Sequence, residues 1–100
     1  MRSKSLMKIN EIPNIFQSKI RLAIMTSLID GKKDFKQLKE LTEATDGNLS
    51  THLSKLEKDG YISSEKTFIK RKPRSTYALT ATGRRRFEEY VELLSNLLKA

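Results

Sequence analysis

The chain has 100 residues and carries 20 Lys and Arg against 12 Asp and Glu, a net charge of +8 with a pI near 9.9. That length is one domain's worth of chain, and the cation surplus favours a polyanionic partner, nucleic acid or an anionic membrane surface, without fixing the fold. With no Cys and one His, His52, thiol redox sensing, disulfides and Cys/His zinc sites are excluded, and no apolar run approaches the roughly 18 residues that cross a bilayer.

The N-terminal MRSKSLMKINEIPN has cations but neither a continuous apolar stretch nor a small-residue cleavage site, so it does not read as a secretory signal and a cytoplasmic location is expected. About residues 1–8 are expected to be flexible. A short helix follows from Asn10 to Phe16, with Asn10 as N-cap and Pro13 in the first turn. Lys19 to Ile29 is expected to be a central buried helix, because Ile20, Ala23, Ile24 and Leu28 form one apolar row and Leu22, Met25 and Ile29 another. Gly31 stops it.

Asp34-Phe35 reads as short and extended. Leu38, Leu41 and Ala44 then repeat at helical spacing. A third helix opens at Asp46 as N-cap, carries the inward stripe Leu49, Leu53 and Leu56, and ends at Gly60. The period changes at Tyr61. Residues 61–69 and 75–79 are β-prone, and the basic, proline-containing stretch between them reads as the loop of a hairpin. Thr80 caps a last helix with Gly83 at its third position, running from about Ala81 to Leu98.

A mainly α chain with one small β-hairpin, in the order helix, short strand, helix, helix, strand, loop, strand, helix, is a winged helix-turn-helix. The whole of 1–100 is then one domain. With the leucine stripe inward, the third helix leaves Asn48, Thr51, Ser54 and Lys55 outside and Ser50 and His52 on the flanks. Acidic residues are absent from Asn48 to Leu56. Short polar groups there can approach base edges of double-stranded DNA, while lysines reach phosphates. Lys70, Arg71, Lys72 and Arg74, four cations in five positions, are candidate phosphate clamps at the hairpin tip. Taken alone, that run is equally a solvated loop, and far less readily a nuclear-import address. Arg84-Arg85-Arg86 can touch flanking phosphates or pair with Glu88 and Glu89, and His52 can be a DNA contact or an ordinary boundary residue.

Three stretches resemble the MarR/ArsR-type winged-helix regulators. DGNLSTHLSKLEKDGYI is similar to their recognition helix, KIRLAIMTSL to their first core helix, and YALTATGRRRFEEY to their strand-to-helix junction with its Thr-x-x-Gly step. The likeness spans roughly residues 9 to 98. Gln17-Ser18-Lys19 departs from it where the family often has a proline. The resemblance implies a homodimeric, DNA-binding transcriptional regulator that pairs through its last helix.

That helix has two apolar rows. Phe87, Val91, Leu94 and Leu98 are expected in the core. Tyr90, Leu93 and Leu97, with Ile12 and Phe16 packed over the same seam, are expected at the dimer interface. No catalytic set or Gly-rich phosphate loop is present, so an enzyme is not expected; nor is a cofactor, a metal or a membrane partner. The sequence does not indicate a small-molecule effector. The alternative is a winged-helix module that docks on a protein in a larger assembly.

Overall fold

The computed structural model describes residues 7–99. Two 3-10 turns, Ile9–Glu11 and Asn14–Gln17, lead into α1 (Lys19–Ser27), β1 (Lys33–Asp34), α2 (Phe35–Thr42), α3 (Asp46–Lys58), β2 (Ile62–Ile69), β3 (Lys72–Leu79) and α4 (Ala81–Lys99). The strands form one antiparallel sheet in the order β1-β3-β2. This is the winged helix-turn-helix expected from the order of the elements.

The N-terminal segment differs from the single helix expected. Pro13 has an extended backbone and divides it into two turns, because its ring cannot continue a hydrogen-bonded helix. Residues 1–6 of the segment expected to be flexible lie outside the described residues. Met7, at its end, is instead 3 % exposed and belongs to the core. At the entry to α1, Ser18 Oγ accepts a hydrogen bond from Arg21 N at 3.3 Å. A side-chain cap thus stands where the resembling family often uses a proline. The helix ends two residues early. Its last turn tightens as Ile29 N bonds back to Thr26 O at 3.3 Å, and Arg84 donates to the carbonyl of Ile29 at 2.9 Å.

Asp34 is both the end of β1 and the N-cap of α2. Its Oδ1 accepts from Gln37 N at 2.7 Å while Gln37 Oε1 accepts from Asp34 N at 2.9 Å, a reciprocal capping box. Leu38 is fully buried, whereas Leu41, expected beside it, is exposed. The tight turn of the helix pair runs through Glu43 in the left-handed region, φ 58°. Thr45, not Asp46, then caps α3, its Oγ1 accepting from Asn48 N at 3.2 Å. Asp46 sits in the first turn and pairs with Lys39 of α2 at 2.8 Å. The expected stripe of Leu49, Leu53 and Leu56 is buried against α1 and the sheet root.

Phe16 is the aromatic hub of the core, with its ring 5.8 Å from that of Tyr61, 6.1 Å from Phe87 and 4.8 Å from Tyr90. Those contacts join the N-terminal turns to the hairpin root and to α4. They also correct the assignment of Phe16 to a dimer seam, since at 1 % exposure it has no surface to offer.

At the root of the hairpin Thr80 makes four bonds, one of them its carbonyl accepting from Arg84 N at 2.9 Å inside α4. Its N–H donates to Tyr61 O at 3.1 Å, its hydroxyl donates to Gly60 O at 2.6 Å, and the same oxygen accepts from Gly83 N at 2.9 Å. Gly83 lies flat against Tyr61. A methyl group there would overlap the Tyr61 carbonyl oxygen and stand 2.8 Å from its carbon, in backbone that cannot swing aside. Gly83→Ala should therefore cost at least about 2 kcal/mol in urea denaturation, although Ala normally gains roughly 0.8–1 kcal/mol over Gly inside a helix. A neutral or stabilising substitution would show that the helix slides freely past the hairpin root.

Candidate nucleic-acid interface

With the leucines of α3 inward, Asn48, Ser50, Thr51, Ser54 and Lys55 are all exposed, as their helical spacing predicts. Lys55 spans to Asp59 at 3.6 Å, one turn on. His52 differs, being half-buried at the flank. Its Nδ1 is enclosed and has no hydrogen-bond partner, and burial, with Arg21 nearby, lowers its pKa below the usual histidine value. It is therefore neutral at pH 7, and that edge of the ring is turned into the protein.

The hairpin is longer and tighter than expected. Lys72, Pro73 and Arg74 belong to β3, and the connection is only Lys70-Arg71. Both residues have positive φ, 52° and 68°, the signature of a type I′ turn that usually uses Asn-Gly. Pro73 escapes the sheet's usual veto on proline. Counting from the closing pair Ile69↔Lys72, Phe68↔Pro73 is a non-hydrogen-bonded pair, so the missing N–H would have pointed outward. β1 reaches only Thr76 and Tyr77 on the other side.

The four wing cations are not equivalent. Lys70, Arg71 and Lys72 cluster at the exposed tip. Arg74 is instead held by Asp34, to whose Oδ2 it donates from Nε at 3.1 Å and Nη2 at 2.7 Å. The bond from Gln37 N, with Arg74 beside it, keeps the Asp34 carboxyl below the usual carboxylate range. Arg74 thus fixes the wing to the start of α2, a role hidden in the sequence because its partner lies 40 residues away. The Arg84-Arg86 run also splits, with Arg84 capping the end of α1 and Arg86 pairing with Glu89 at 2.7 Å.

On α4 the two rows merge. Phe87, Tyr90 and Leu93 face the core, Leu93 being 8 % exposed, while Val91, Leu94, Leu97 and Leu98 are uncovered. Tyr90 and Leu93 are thus monomer core, and three residues expected in the core row form the exposed apolar surface. Ile12 is partly buried against the core. At 100° per residue the apolar side chains share one broad arc, and the core takes only part of it. No helix among the described residues is long and apolar enough to cross a membrane, and no cluster of metal-ligating side chains occurs among them.

Residues 20–98 match the family model described as a winged helix DNA-binding domain. An uncharacterized protein of Methanocaldococcus jannaschii is 37 % identical over 87 residues, covering 85 % of this chain and 94 % of its own. Among solved structures, one assigned as a MarR-family transcriptional regulator of Enterococcus faecalis superposes with a TM-score of 0.77 at 27 % identity, over 95 % of this chain and 86 % of that one. PadR of Bacillus subtilis, solved in complex with operator DNA, superposes with a TM-score of 0.64 at 20 % identity, over 69 % of this chain and 44 % of that one.

Two side chains with a Cβ in the left-handed region put strain into the wing tip that Asn-Gly would relieve. Lys70→Asn with Arg71→Gly should stabilise the fold by about 1–2 kcal/mol. At this chain length each kcal/mol corresponds to roughly 4–8 °C in Tm. A fall in Tm would mean that the cations contribute to folding and not only to the surface they present.

Proposed function

The chain belongs to the winged helix DNA-binding domain family, and from that premise we propose that it is a sequence-specific regulator of transcription that binds double-stranded DNA as a homodimer. One observation carries this reading. The outward face of α3 from Asn48 to Lys55 is exposed and free of acidic residues, and the same domain projects a tip of three clustered cations. α3 enters the major groove, where Asn48, Ser50, Thr51 and Ser54 meet base edges and Lys55 a phosphate. Lys70, Arg71 and Lys72 grip the backbone or the adjacent minor groove. His52 acts as a neutral flank, and Arg74 positions the wing. PadR, of the same fold, was solved on its operator, which supports DNA as the partner by analogy.

Dimerisation rests on the uncovered part of the α4 arc. One winged helix reads too few base pairs to single out a site in a genome, whereas two copies about a twofold axis read half-sites roughly 34 Å apart. Val91, Leu94 and Leu97 form the seam, and Leu93 and Phe16 back it from within each monomer's core.

Duplex binding measured at several salt concentrations tests the interface. Arg71→Ala should lower the slope of log K against log salt by about 0.9 and weaken all sequences alike. Asn48→Ala or Thr51→Ala should cost roughly 1–3 kcal/mol on a selected site and little on random DNA. Absence of duplex binding at physiological salt would leave a protein-docking module as the better reading. For the seam, Leu94→Glu with Leu97→Glu should yield a folded monomer by sedimentation and circular dichroism, the buried charges costing the dimer several kcal/mol. A double mutant that still sediments as a dimer overturns the seam.

A further inference from the structure

Phe68 is 70 % exposed, whereas every other aromatic side chain among the described residues is buried or partly buried. Phe68 is neither a member of the buried core nor one of the partly buried residues packed against it. Its place in the sheet is specific. Along β2 the face that carries buried Ile62 continues through Ser64, Lys66 and Phe68, opposite Leu79, Tyr77, Ser75 and Pro73. Ser64 on this face donates a hydrogen bond to Glu57 of α3 at 2.7 Å, so Phe68 stands on the side of the sheet that faces α3, beyond the helix. In a non-hydrogen-bonded pair the side chains come closest, and the rigid ring of Pro73 is the direct cross-strand neighbour of Phe68.

We infer that the wing carries an apolar contact for the minor groove: Phe68, paired across the strands with Pro73, wedges against sugar and base edges while the tip cations hold the flanking phosphates. This rests on the DNA-binding reading above. Charge complementarity selects the occupant. Lys66, Lys70, Arg71 and Lys72 surround the ring in sequence, which repels a second copy of this +8 chain and an ordinary cationic surface but suits a polyanion. The α4 seam does not extend here, because the seven residue steps from Pro73 to Thr80 span about 23 Å of extended strand. A minor groove roughly 6 Å wide admits a phenyl edge, and apolar side chains inserted there partly unstack a base step. Pyrimidine–purine steps yield most easily. The wing would therefore add a preference for a deformable step beside the site read by α3, without any hydrogen bond to a base.

The test uses the full chain and a duplex that the wild type selects from a random-sequence library, with the flanking step then varied between TA and a stiff A-tract. Phe68→Ala should keep its circular dichroism spectrum and lose about five- to hundredfold in affinity on the TA duplex. Its salt slope should stay unchanged, since an apolar contact releases no counterions, and its preference between the two duplexes should vanish. Equal affinity of wild type and Phe68→Ala overturns the inference while leaving DNA binding intact, and so does a changed salt slope. Loss of binding to phosphatidylserine vesicles with DNA affinity retained would assign the ring to a membrane surface instead. A wild type that binds no duplex removes this inference together with the reading beneath it.

Discussion

The carbonyl of Tyr61 is the point through which the two halves of the domain are joined. It accepts the N–H of Thr80 at 3.1 Å, and its far side is covered by Gly83. One peptide group thereby fixes where β2 begins, where β3 ends and at what distance α4 leaves the sheet. The ring of the same residue lies 5.8 Å from Phe16, so the N-terminal turns are referred to this junction too. Thr80 completes it by bonding Gly60 O and capping Gly83 N with a single hydroxyl. The Thr-x-x-Gly step is thus a packing requirement: threonine for the two-way hydroxyl, glycine because backbone occupies the space of a Cβ.

With both ends of the hairpin secured at the root, the far end can carry conformations that a free hairpin would relax. Lys70 and Arg71 sit in left-handed backbone without the glycine such a turn prefers. Strain of that kind persists only where surrounding structure over-determines it. The full register from Ile62↔Leu79 to Ile69↔Lys72 supplies that constraint. The cost falls at the residues whose charge, not whose shape, is presented to solvent.

Periodicity in the sequence is a local property, and what it located was local. The leucines of α3 are spaced so that only one orientation buries them, and the outward residues follow from that. The hairpin's existence was legible from its β-prone runs. The position of its turn was not, because Lys-Arg is no turn signal and Pro73 suggests a loop until the pairing pattern places it where its missing N–H is harmless. α4 shows the other limit. Its apolar arc was visible, but which part meets the core depends on the approach angle set at Gly83, which no helical wheel contains. Phe16 and Leu93 were therefore assigned to a seam although they lie inside the monomer. Arg74 looked like its neighbours in the chain, and only the distant Asp34 distinguishes it.

Asp34 holds two elements with one carboxylate, Oδ1 on the first turn of α2 and Oδ2 on the arginine of β3. The wing cannot tilt away from the helix pair without either breaking a charged hydrogen bond or uncapping a helix. Helix pair and wing therefore stand like the two jaws of a caliper, their opening tied to one carboxylate. A surface held in this way measures. It offers any partner α3 and the wing tip at one fixed separation.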